Sequence, residues 1–61
     1  MKTLKSTSGK KGVNISKENK KFVACYVQYF NEGDLIREQL IEMKIYNSEK
    51  MAVKWANKQL N

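Results

Sequence analysis

Polar and apolar positions separate most cleanly at the C-terminal end of the chain, between Ser48 and Asn61. At roughly 100° per residue, Lys50, Lys54, Asn57 and Asn61 fall near one line, with Lys58 beside it. Ala52, Trp55, Ala56 and Leu60 gather on the opposite side, with Met51 and Val53 as shoulders. The spacing predicts a helix with an apolar back and a Lys/Asn front. Ser48 or Asn47 serves as its N-cap, and Glu49 sits at its positive end. Such a front suits a DNA groove, with lysines on phosphates and asparagines on base edges. The alternative is the solvated face of an ordinary amphipathic helix.

Two further helices are expected upstream. Phe22, Val23, Tyr26, Val27 and Phe30 recur at i, i+1, i+4, i+5 and i+8, the stripe of a buried helix, with Ser16 as its N-cap and Glu18 in its first turn. Gly33 would end that helix in the left-handed conformation. Asp34 would then cap a shorter helix whose apolar face is Leu35, Ile36, Leu40 and Ile41, joined by Met43. Residues 43–47 would form a tight corner with Tyr46 packed in it, and Trp55 would be the largest core side chain. The expected fold is therefore all-α: a small three-helix helix-turn-helix bundle over residues 15–61. Residues 1–14, rich in Lys, Ser, Thr and Gly, are expected as a flexible basic arm.

Charge sharpens this picture. The net charge of +6 divides into +6 over residues 1–21, −3 over 22–43 and +3 over 44–61. Basic ends around an acidic middle favour a polyanionic partner. Lys2, Lys5, Lys10 and Lys11 in the arm would add loose contacts along a minor groove or the phosphates; a merely solubilising tail is the other reading. The run Ser8-Gly9-Lys10-Lys11-Gly12 lacks the spacing of a phosphate-binding P-loop.

Other chemistry finds little support. A chain of 61 residues makes one small domain with a thin margin of stability, and no multi-step catalytic cleft is expected in it. With no histidine and Cys25 as the lone thiol, neither a zinc cluster nor an internal disulfide is expected, nor any cofactor. Cys25 reads as a small core residue. No apolar run approaches the ~20 residues needed to span a bilayer, and no apolar stretch follows the basic N-terminus as in a signal peptide. The expected setting is cytoplasmic, and the expected protein is not an enzyme.

From Ile15 onward the sequence resembles the N-terminal DNA-binding segment of bacteriophage terminase small subunits. The resemblance is carried by Ile15-Ser16-Lys17, Phe22-Val23 and Tyr26, then by Gly33, Tyr46, Ser48-Glu49-Lys50, Ala52 and Leu60. It implies a helix-turn-helix module used in viral DNA packaging, in a bacterial host cytoplasm. It further implies a large motor subunit as partner and a homo-oligomer. A chain stopping at Asn61 would be either an excised DNA-binding domain or a free-standing small phage-type protein.

The candidate site is thus Lys50, Lys54, Lys58 and Asn61 with Asn57 as the base reader, supported by Lys10 and Lys11, and duplex DNA is the expected ligand. A rival reading is a small inhibitor or adaptor that docks its basic surface on an acidic patch of a host protein, with Tyr26, Tyr29 or Trp55 as exposed anchors. RNA or single-stranded nucleic acid stacked on tyrosines is a third.

Overall fold

A computed structural model of the chain, describing residues 2–61, shows a four-stranded antiparallel sheet with a helix laid across one face. The strands are β1 (Lys2–Lys5), β2 (Lys11–Glu18), β3 (Lys21–Glu32) and β4 (Leu35–Tyr46), and the helix is α1 (Glu49–Leu60). The sheet order is β1-β2-β3-β4, a simple meander. The expected all-α, helix-turn-helix bundle is therefore incorrect. Of its three helices only the last exists. The residues expected to form a mobile arm, 1–14, lie largely in β1 and the start of β2, with Met1 outside the described residues.

Local chemistry explains the strands. Val13, Ile15, Phe22, Val23, Tyr26 and Val27 are β-branched or aromatic, residue types that suit a pleated surface. Two of the three turns that fold the meander are two residues long. Asn19 and Lys20 both take positive φ, 49° and 68°, as a type I′ hairpin turn requires. Gly33, at φ 63°, stands first in the turn Gly33-Asp34, where type II′ places glycine. What looked like a helix C-terminus at Gly33 and an N-cap at Asp34 is this hairpin.

The register fixes the two faces, because successive side chains point to opposite sides. Val13 pairs with Tyr26, Ile15 with Ala24 and Lys17 with Phe22 across β2 and β3, and Phe22 pairs with Tyr46 on β4. These side chains meet α1. Val13, Ile15, Ala24 and Tyr26 form the buried core with Ala52 and Ala56 of the helix, and Leu4, Phe22, Tyr46, Val53, Trp55 and Leu60 pack around it. The two alanines let the helix approach the sheet closely. Trp55 lies against Tyr26 edge-on and against Tyr46 at a tilt, with ring centroids 6.4 Å apart in each pair.

Lys44 and Glu42, opposite Ala24 and Tyr26, share the helix side. The other face carries Gly12, Asn14, Val23, Cys25, Met43 and Ile45. Between Tyr26 and Val27 the β3–β4 register slips, Tyr26 pairing with Glu42 but Val27 with Leu40, so that Ile41 is an extra residue on β4. This is a β-bulge. Past it, Leu40, Glu38 and Ile36 join the open face, while Gln39 and Arg37 turn to the helix side. On the open face Tyr29 lies across Gly12, where an added Cβ would come 2.6 Å from the phenol oxygen. Only glycine leaves the ring that seat.

Candidate nucleic-acid interface

The helix at the end of the chain forms for the reasons its sequence supplies. Ser48 is extended, at φ −134° and ψ 148°, and its Oγ accepts from the Met51 N–H at 3.3 Å, satisfying one of the donors left open in a first turn. Glu49 occupies the positive end and Lys58 the last turn, each complementing the helix dipole. Ala52 and Ala56 are buried. Lys50, Lys54, Asn57, Lys58 and Asn61 are all exposed on the side turned away from the sheet. Among the described residues the ion pairs are Lys2–Glu49, Arg37–Glu32 and Lys44–Glu42. Lys50, Lys54 and Lys58 enter none of them.

The fold gathers more positive charge on the helix side of the sheet than the sequence alone discloses. The sheet register places Lys2, Lys11, Lys17, Arg37 and Lys44 on the helix side, together with Glu32 and Glu42. With the three helix lysines and Glu49, that side holds eight cations against three carboxylates, a net +5. The open face holds Lys5 and Lys21 against Glu18 and Glu38, a net of zero. The turns contribute Lys10, Lys20 and Asp34, which completes the +6 of the chain. Low-dielectric protein beneath one charged face keeps its field directed outward.

Lys10 and Lys11 part company. Lys11 begins β2 on the helix side, opposite Gln28. Lys10 sits in the β1–β2 turn and lines a shallow hollow on the open side with Lys5, Tyr29 and Glu38. The structure thus brings Lys11 to the face of the helix lysines and takes Lys10 away from it. Lys17 and Lys44 were missed as candidates. Their signal was present in β2, where the alternation Val13-Asn14-Ile15-Ser16-Lys17 puts Lys17 on the side of the two buried residues.

The aromatic side chains divide similarly. Tyr26 is buried and Trp55 half-buried between Tyr26 and Tyr46, so neither is an exposed anchor. Tyr29 is half-exposed on the open face, with the Lys5 ammonium 5.1 Å from its ring centre. Burial first, and the nearby Glu38 carboxylate second, hold its phenol above the ordinary tyrosine value. Lys17 lies 5.9 Å from the ring of its cross-strand partner Phe22. Cys25 is a half-buried free thiol on the open face. No group of histidine, cysteine or carboxylate side chains able to hold a metal occurs among the described residues, and none of the described helices is long and apolar enough to cross a membrane.

Comparison of the chain with protein-family models, with curated proteins and with solved structures gives no match. None of these comparisons identifies a terminase small subunit. Of the segments that carried the resemblance, Ile15-Ser16-Lys17 lies inside β2, and Phe22-Val23 and Tyr26 lie in β3, not in the helix expected there.

Proposed function

We propose that this domain is a non-enzymatic binding module for a polyanion, with duplex nucleic acid as the ligand, engaged by the helix side of the sheet. The observation that carries this reading is the charge difference between the two faces. Nearly all of the net positive charge lies on one side, centred on three exposed lysines outside every ion pair among the described residues. The helix-turn-helix docking geometry has no part in it. Here a helix lying flat on a sheet offers its outer row to phosphates, and Lys17 and Lys44 flank it from β2 and β4.

Lys50, Lys54 and Lys58 recur at about one turn of helix, so their ammonium groups can follow one wall of a groove. Asn57 and Asn61 share the same outer face, and a carboxamide can pair in bidentate fashion with an adenine edge. Lys54→Ala would weaken binding to all sequences alike, whereas Asn57→Ala would relax preference at one base position.

Fluorescence anisotropy with labelled duplex DNA, single-stranded DNA and duplex RNA tests the proposal. Saturable binding to a duplex at low salt, lost progressively as lysines 50, 54 and 58 are replaced, is the expected result. Absence of binding to any of the three at low salt would refute it. Preference for single strands, unaffected by those replacements but abolished by Tyr29→Ala, would move the site to the open face.

A further inference from the structure

The strand β4 is patterned the wrong way round for the layer that covers it. Between Tyr46 and Leu35 at its ends, its helix side carries Lys44, Glu42, Gln39 and Arg37, while its open side carries Ile45, Met43, Leu40 and Ile36, with Glu38 between the last two. An antiparallel sheet covered on one face ordinarily turns apolar residues toward the cover and polar ones toward water. Here the four apolar side chains are 56%, 53%, 58% and 73% exposed. The bulge at Ile41 is what keeps them together. Were Ile41 instead taken into a regular ladder, Leu40 and Ile36 would fall on the opposite side from Met43 and Ile45. Val23 and Cys25 of β3 extend the patch sideways.

We propose that this open face packs against the same face of a second copy of the chain, forming a two-fold sheet-on-sheet dimer. Two features select a second copy over a foreign partner. The face is electrically neutral on a chain of net charge +6, with Lys5 and Glu38 of opposite sign on it, so two copies meet here with the least mutual repulsion. Its size also fits. The four residues leave on the order of 400 Å² of apolar surface, a size that on a monomer often marks a functional surface. With their half-buried neighbours, two such faces approach ~1,200 Å², the lower bound of a stable interface. A two-fold interface is self-complementary, and facing sheets pack about 10 Å apart. The proposal does not depend on the nucleic-acid reading. If both hold, the two lysine faces point outward on opposite sides of the dimer.

Sedimentation equilibrium on the full chain, together with cross-linking through Cys25, tests it. Cys25 lies mid-patch beside Met43, and the lone cysteine gives the cross-link a single origin. The expected results are twice the chain mass at high micromolar concentration, and a covalent dimer with a short bis-maleimide. Met43→Glu and, separately, Leu40→Lys would weaken the dimer at least about tenfold, because each places a charge in the apolar contact. Trp55 emission reports that the variants stay folded, since that side chain packs on the other face. A monomer at every concentration would overturn the proposal. So would a dimer that resists both substitutions and forms no Cys25 link, the signature of pairing through the free edge of β4, where the thiols lie about three strand spacings apart, roughly 14 Å, and point the same way.

Discussion

Tyr29 shows how a single side chain depends on its surroundings. Its ring occupies the space above Gly12 and its phenol is held above the ordinary tyrosine value, chiefly by burial and then by Glu38. Ultraviolet titration of the protein minus that of Tyr29→Phe isolates this phenol, which is expected to ionise above about 10. Glu38→Gln should lower that value without restoring it fully, because the larger cause remains. No change on removing Glu38, or a value at or below the ordinary one, would contradict the packing described. The sign for stability follows. The fold disfavours the phenolate, so this contribution is complete below the unfolded-state value and fades as pH rises through the higher folded-state value.

Among the elements, the β2–β3 turn carries a strain that sequence alone does not display. Lys20 sits at φ 68°, a conformation that costs a residue with a Cβ roughly 1–2 kcal/mol, and type I′ turns prefer Asn-Gly. Lys20→Gly should therefore stabilise the fold by up to about 1 kcal/mol, part of the relief being offset by the greater freedom of glycine in the unfolded chain. Chemical denaturation measures it, and a clear loss of stability would mean that this turn has a different conformation.

The same turn explains why the hairpin was illegible. Asn19-Lys20 lacks the glycine that announces a tight turn, so β2 and β3 gave no sign of pairing. In β3, alternate residues Phe22, Ala24 and Tyr26 face the helix while Val23, Cys25 and Val27 face the other way. A strand apolar on both sides reads as adjacent pairs, which helical spacing fits equally well. The bulge at Ile41 then broke the alternation of β4 and let Leu40-Ile41 pass for a helical pair. Gly33-Asp34 did carry a hairpin signal, flanked by apolar runs. The C-terminal helix was readable because its alanine face, its Ser48 cap and its lysine row all agree with one period.

Across the whole molecule, a helix and a sheet divide the charge between them. The helix supplies the central row, and the strands deliver Lys2, Lys17 and Lys44 from segments far apart in sequence, which is why the full site could not be read from the chain alone. The opposite side is neutral and apolar, suited to a second copy. One measurement bears on the functional claim without intermediaries: the affinity for a duplex as a function of salt. About five lysines on phosphates give a slope of log K against log salt of about −4.5, and replacing Lys50, Lys54 and Lys58 together by alanine should reduce its magnitude by about 2.7. Affinity indifferent to salt, or a slope that survives the triple substitution unchanged, would contradict the assignment of this face to a polyanion.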